Sequence, residues 1–455
     1  MKRTWPLPIA LLVGACAGPA IETASVPPVE PAGAWRTEIG PTVPIERDWW
    51  QAFGDPELTA LVERALANNT DIGTAVARVR DARAQEQNAR AQLLPTLDLG
   101  AGFARSRSVN AFGRPSVQTA VQPQFLAAYE VDIFGRLSDQ LAAARAGVLA
   151  SEASRSSVQL SVASTTASSY IVLRALDARL QITRETLAAR EDAMRIARSR
   201  AKQGYAPILE QRQAEAEYEA TAQLVPQLQL AIARQEDSLS QLTGDTPRVI
   251  PRGVDFATLR EPAVPGGLPS ELLRRRPDVA QAEYQLAASD SQLAAARKRF
   301  LPQLRLSGSA GAAISTLLGD PIGIWSLGGS VLAPLFEGGR LTAQAESAAA
   351  QRDMAAFSYR RTALTAFREV EDNLAAVQRL SDQLDHIRAQ REALAEGLRL
   401  ATNRYRAGYS TYLEQLDAER GLLSAELSLV QTQADALTAR VALYQALGGG
   451  WTPEP

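Results

Sequence analysis

The chain has one cysteine and one histidine in 455 residues, three methionines and 6% aromatics. A Cys/His metal site needs three or four such ligands, and a thiol–imidazole pair needs both partners close together, so both are excluded in practice. His386 stands between Asp385 and Ile387 in a helical pattern and is expected to be solvated. Charge of one sign is also missing: 48 basic residues face 50 acidic ones, which leaves no footprint for nucleic acid. No apolar run reaches the roughly 20 residues that a spanning helix needs. "GAGF" and "LGGG" lack the strand–loop–helix setting of a phosphate cradle, so an enzyme reading has little to stand on and no cofactor is expected. Proline is absent over residues 137–203 and again over 341–407.

What is there is rich in Ala, Leu, Gln, Arg and Glu, an alphabet of long helices. Residues 1–15 read as a signal peptide, with Lys2 and Arg3 ahead of a short apolar run. Residues 16–47 are rich in Pro, Gly and Ala without periodicity and read as an extended tether. Asp55-Pro56 then opens a helix with Leu58, Leu61, Val62, Ala65 and Leu66 on one face.

The rest is a duplication. "LLPTLDL" (93–99) recurs as "FLPQLRL" (300–306), "QGYAPILEQRQAEAE" (203–217) as "AGYSTYLEQLDAERG" (407–421), and "QLTGD" (241–245) as "ALGGG" (446–450), all at offsets of 204–207. The expected divisions are a first repeat over 48–245, a linker over 246–269, a second repeat over 270–450 and a tail over 451–455.

In the second repeat Val377, Leu380, Leu384, Ile387, Arg391, Leu394, Leu398 and Ala401 step by three and four. Leu173, Leu176, Leu180, Thr183, Leu187, Arg190, Met194 and Ala197 hold the same phase in the first. The return segment continues with Leu423, Leu427, Val430, Ala434, Leu437, Val441 and Tyr444. This is the 3.5-residue period of coiled-coil packing, over helices of roughly 90–100 Å. Gly204 and Gly408 supply a left-handed residue between long and return helices, so two helical hairpins with tight tips are predicted.

At the other end of each hairpin the period becomes two. Leu97, Leu99, Ala101 and Phe103 form one face, and so do Phe125, Ala127, Tyr129, Val131 and Ile133. Leu304, Leu306, Gly308 and Ala310 form a third, and Trp325, Leu327, Gly329, Val331 and Leu335 a fourth. Segments of about ten residues with one apolar face match membrane β-strands. Four strands cannot close a barrel, and open edges cannot face lipid, so other copies of the chain must complete it.

The chain resembles the outer membrane efflux family, the TolC/OprM-like outer membrane factors, and within them the NodT-type lipoprotein branch. "DWWQAFGDPELTALVERALANN", "AAYEVDIFGRL", "LPSELLRRRPDVAQAEYQLAAS", "LAPLFEGGRL", "YRAGYSTYLEQLDAERGLLSAEL" and "LYQALGGGW" carry the resemblance from about residue 48 to 451. It implies an α+β membrane protein: a homotrimer whose four strands per subunit make a twelve-stranded β-barrel in the outer membrane, continued by a long α-helical coiled-coil tunnel in the periplasm. It further implies a passive exit duct for drugs or other solutes. The implied partners are a periplasmic membrane-fusion adaptor, an inner-membrane pump of the proton-driven RND type, and outer membrane lipid.

The tip turns, at Gly204, Tyr205, Gly408 and Tyr409, would be where the adaptor docks. Leu413 and Asp417 are i,i+4 neighbours just past the Gly408 turn, so threefold symmetry would make rings of them. Close carboxylates repel, raise one another's pKa and can hold a cation. The resemblance puts Leu413 and Asp417 at constriction positions, Glu414 at a further acidic position, and Tyr405 at a tip tyrosine that latches subunits. Ser410 stands where some members place a latching arginine, and Gln213 is the first-repeat counterpart of Asp417.

Val13-Gly14-Ala15-Cys16 resembles a lipobox. It implies a diacylglyceryl group on the Cys16 thiol and an acyl chain on its amine, with sorting to the outer membrane because Ala17 is not acidic. Several chains anchor stably where one would be marginal. The competing readings are a non-conducting envelope-anchored coiled-coil spacer, which has no use for lipid-facing strands, and a type I secretion exit duct.

Overall fold

A computed structural model describes residues 20–37, 44–109, 112–264 and 269–452. Cys16 and the 1–15 signal segment lie outside the described residues. The chain forms two compact units, each drawn from both repeats. One combines the described residues up to Pro28 with Ala77–Glu152 and Gln281–Arg361; the other combines Val29–Val76, Ala153–Ala280 and the chain from Thr362 onward.

Elements follow one another as α1 (Pro56–Asn68), α2 (Thr70–Ala91), β1 (Thr96–Val109), β2 (Pro115–Val131), α3 (Arg136–Lys202), α4 (Ile208–Ala222) and α5 (Leu224–Leu242). The second series is α6 (Pro269–Arg275), α7 (Pro277–Lys298), β3 (Gln303–Ser315), β4 (Ile322–Leu332), α8 (Arg340–Arg406) and α9 (Tyr412–Ala446). The two proline-free runs are thus two helices of 67 residues each. Their predicted stripes are the sheltered ones: Leu173, Leu180, Thr183, Arg190 and Ala197 are buried on α3, and Val377 and Leu384 on α8.

The repeats differ in their return helices. α9 runs unbroken for 35 residues, whereas the first-repeat return splits at Gln223 into α4 and α5. Pro226 is the cause: it has no N–H to offer the carbonyl of Ala222, and its ring crowds that carbonyl.

The unit containing the helical tips has its core where residues 49–53 meet α3, α5 and α9. Trp49, Trp50 and Phe53 of a short 3₁₀ turn pack with Tyr170, Ile171, Leu239, Leu437 and Tyr444, and Trp49 stacks on Tyr444 at 5.3 Å between centroids. Asp55 caps α1 through the N–H groups of Glu57 (2.8 Å) and Leu58 (3.4 Å), and its second oxygen accepts from the buried Tyr170 hydroxyl at 2.9 Å. The Gly253 N–H in turn donates to that hydroxyl at 2.9 Å. The 246–269 linker is therefore core material: Ile250, Phe256 and Leu259 are buried in it.

In the other unit, proline again sets boundaries. Pro95 and Pro302 stand just past α2 and α7, where helical geometry is disfavoured for the residue before each, and an extended strand follows both. The four strands make one antiparallel sheet in the order β1-β2-β3-β4. They run 11–17 residues, longer than the ten or so expected. Two residues assigned to strand faces fall outside: Ile133 lies beyond the end of β2 at Val131, and Leu335 beyond the end of β4 at Leu332. Both precede the turns that start the long helices, and the parity of apolar residues continues through those turns although the ladder has ended. The extended N-terminal segment is not free. Arg297 donates to the Ile21 carbonyl (3.1 Å), Arg352 to that of Ala24 (3.3 Å) and Arg360 to that of Pro27 (2.6 Å).

Candidate functional site: a two-faced sheet and a latched helical tip

The register sorts the sheet into two faces. Leu97 lies opposite Ala127, Leu99 opposite Phe125 and Phe103 opposite Val121; Phe125 continues to Ala310 and Trp325, Ala127 to Gly308 and Leu327. This face is apolar and open: Leu97 is 70%, Trp325 80% and Leu327 81% exposed. Exposed apolar area on this scale marks a surface that meets lipid or protein. The other face carries Thr96, Asp98, Gln118, Gln122, Gln124, Ser307, Ser309, Ser326 and Ser330, with Leu126, Ile322, Ile324 and Leu332 as its large apolar exceptions. Its polar groups bond among themselves, as between Ser309 and Ser326 (2.8 Å) and from Gln118 to Ser315 (3.1 Å). β1 and β4 each have one unpaired edge among the described residues. No described helix is long and apolar enough to cross a membrane.

The helical tips are built by one device used twice. Gly204 (φ 78°) and Gly408 (φ 80°) follow the long helices, a left-handed conformation that costs a side-chain-bearing residue about 1–2 kcal/mol. The N–H of Tyr205 closes on the Arg200 carbonyl and that of Tyr409 on the Arg404 carbonyl, both at 2.9 Å, the Schellman pattern. Tyr205 and Tyr409 themselves are each 81% exposed.

Polar side chains then tie hairpin to hairpin. Tyr405, buried with Tyr412, Leu416, Ala197 and Ala214, donates its hydroxyl to Glu210 of the first hairpin. The Arg200 guanidinium lies 4.7 Å above the Tyr405 ring. Burial first, and then the Glu210 carboxylate, push the Tyr405 phenol up to about 12, so it stays a donor at any physiological pH. A second tie runs from Arg420 on α9 to Glu217 on α4, which also pairs with buried Arg190 on α3 at 3.0 Å.

At the equivalent point of the second hairpin the seam is apolar. Leu394 replaces Arg190, and Gly421 replaces Glu217; a Cβ at Gly421 would meet the Leu394 side chain at 3.1 Å. At this level one seam is thus an ion pair and the other a leucine over a glycine; the second hairpin's own ion pair, Arg391 with Glu426 at 2.9 Å, lies elsewhere along its seam.

Leu413, Glu414 and Asp417 lie on the exposed side of α9. Glu414 has Arg404 at 3.8 Å and Asp417 has Arg420 at 3.8 Å, long solvated pairs of little energetic weight. Ser410 carries a buried hydroxyl with no partner among the described residues. Beside Tyr405 lies a cleft of about 460 Å³ lined by Arg190, Ile196, Leu398, Gln415, Glu419 and Leu422, among others.

Sequence reasoning did not find Glu210, Glu217, Arg190 or Arg420 as tip residues. The available signal was weak: Arg190 and Glu217 are charges set into an apolar repeat pattern. Among the described residues there is no group of His, Cys, Asp and Glu placed to hold a metal ion.

Comparison with known proteins agrees with this geometry. The model of the outer membrane efflux protein family matches residues 61–245 and 268–449. The pyoverdine export outer membrane protein OpmQ of Pseudomonas aeruginosa is 35% identical over 418 residues, covering 89% of this chain and 88% of that protein. The Campylobacter jejuni CmeC outer membrane channel superposes with a TM-score of 0.87 at 25% identity, over 95% of each chain. The open state of the Neisseria gonorrhoeae MtrE outer membrane channel does so at 0.82 and 30%, over 95% of this chain and 98% of that one. With an exposed apolar sheet face backed by a polar one, on long paired helices, the chain belongs to the outer membrane efflux protein family as a channel protein of the outer membrane.

Proposed function

We propose that three copies of this chain close a twelve-stranded barrel and form the passive exit duct of a tripartite efflux assembly. The carrying observation is the two-faced sheet with both edges unpaired among the described residues. Backbone groups at those edges would go unsatisfied in lipid, which supports closure by further copies. The polar face then lines the lumen. A periplasmic membrane-fusion adaptor docks on the tip turns around Gly204, Tyr205, Gly408 and Tyr409, and an inner-membrane pump of the proton-driven RND type supplies the cargo. Exposure of Tyr205 and Tyr409 supports that docking site. Cys16 is the lipidated N-terminus, a second attachment to the same membrane.

The tip is the gate. Leu413 and Asp417 share the exposed face of α9, so threefold symmetry makes an apolar ring beside an acidic one, with Glu414 adjoining. The Tyr405–Glu210 and Arg420–Glu217 ties hold each chain's two hairpins together in the closed state. In planar bilayers the wild-type channel is expected to stay nearly silent. Asp417→Ala is expected to change its leak several-fold by removing repulsion, or a bound cation, at the ring. Unchanged conductance, together with unchanged sensitivity of the cells to large antibiotics, removes Asp417 from the gate.

A further inference from the structure

The apolar face of the sheet is interrupted on β1 before Val109 resumes it. Leu97, Leu99, Ala101 and Phe103 share it, and the next two positions on the same face are Arg105 and Arg107, both exposed. Among the described residues neither guanidinium has an ion pair or a side-chain hydrogen bond. Their register partners on β2 are Thr119 and Val117, which offer no negative charge. The sheet's acids, Asp98 and Glu130, lie at the opposite end, opposite Leu126 and Arg305. The two like-charged side chains are rooted about 6.6 Å apart along one strand, so they repel each other and an anion held between them relieves that repulsion.

Their level in the membrane follows from the register. On β2 the apolar face runs unbroken from Val131 to Val121, eleven residues or ten steps, about 33 Å along the strand, before Thr119 interrupts it. Tilted by roughly 40°, that spans about 25 Å, the height of a membrane barrel's apolar band. Arg105 pairs one residue pair beyond Val121, where Thr119 and Thr316 also mark the end of the band, and Arg107 two further along. Both therefore stand in the headgroup layer.

The side is set by the connections. α2, α3, α7 and α8 all join the sheet at the end where Thr96, Val131, Gln303 and Leu332 lie, and the hairpin turns lie at the other end. The inference rests on the barrel reading proposed above: with the helices in the periplasm, the arginine end faces the outer leaflet, whose polar layer is a phosphorylated glycolipid. Arginine suits that layer better than lysine would, since its planar fork takes two phosphate oxygens at once. The second hairpin has no counterpart. Its apolar face continues through Ala312 and Ile314 to a turn carrying Leu317, Leu318 and Asp320.

We propose that Arg105 and Arg107 form a phosphate clamp on the lipid-facing rim, one per chain, for the phosphorylated glycolipid headgroup of the outer leaflet. The full-length protein in detergent, mixed with diphosphorylated lipid A or with the same glycolipid stripped of phosphate, tests it by native mass spectrometry of retained lipid. Wild type is expected to retain the phosphorylated lipid about tenfold or more over the stripped one. R105Q/R107Q is expected to lose that preference, and Arg305→Gln, on the lumen face, to keep it. R105Q and R107Q singly are each expected to weaken retention several-fold, which guards against a double variant that fails to assemble. Equal retention of the two lipids by wild type, or wild-type retention by assembled R105Q/R107Q or by both single variants, overturns the clamp.

Discussion

Glu419 occupies an unusual place for a carboxyl group. It lines the cleft beside Tyr405, with Gln415 donating to one oxygen at 2.7 Å and the other oxygen unpartnered. Burial pushes its pKa up; the Gln415 bond and the Arg190 charge pull it down, and Glu217 adds to the rise. A carboxyl group raised in the packed tip penalises that tip once it ionises. The closed tip should therefore be firmest in acid and should weaken as pH rises from the ordinary carboxylate value, near 4.3, through the raised one. Leak conductance between pH 5 and 7.5 is expected to increase with pH in wild type and to flatten in Glu419→Gln. An identical pH slope in the two would show that another group is responsible. Tyr405 cannot be that group, because its proton stays on well above this range. Residues of this kind were partly legible beforehand. Tyr405 stood out by resemblance, but Glu210, 195 positions away in sequence, did not. Nothing local in "PILEQ" says which phenol will reach it.

Among the elements, the long helices were the most legible. Proline-free runs at 137–203 and 341–407 became helices at Arg136–Lys202 and Arg340–Arg406, because a 3.5-residue apolar period and the absence of breakers are both local properties. Strand faces were legible by parity, but strand ends were not, as Ile133 and Leu335 demonstrate. A ladder ends where its partner ends, and parity does not record that. The split return helix went unread since Pro226 sits near the start of α5, where proline is tolerated. The tip turns rest on left-handed glycines with no crowding at either. Gly408→Ala is thus a clean test of backbone strain, expected to destabilise the second tip by about 1–2 kcal/mol. Hydrogen exchange over 400–416 should speed up roughly tenfold while the sheet amides stay unchanged. Equal exchange would mean that the turn tolerates a side chain.

For the whole molecule, two attachments to one membrane are proposed, a barrel and a lipid on Cys16. They should be separable. Cys16→Ser is expected to abolish labelled palmitate incorporation while heat-stable trimers persist, since edge-to-edge strand pairing does not involve the N-terminus. Retained label would refute the lipobox reading, and loss of trimers would give the anchor a role in assembly. The duplication, the helix periods, the two-faced strands and the need for partner copies were all determined by the sequence alone, because each is a pattern among residues close in the chain or a count of strands. Which residues meet was decided by tertiary structure. Asp55 with Tyr170 and Gly253, Glu217 between Arg190 and Arg420, and Tyr405 on Glu210 are pairings across about 30 to 200 residues. A carboxylate's partner depends on which helix faces pack together, and that is a property of the assembled hairpins that no single segment carries.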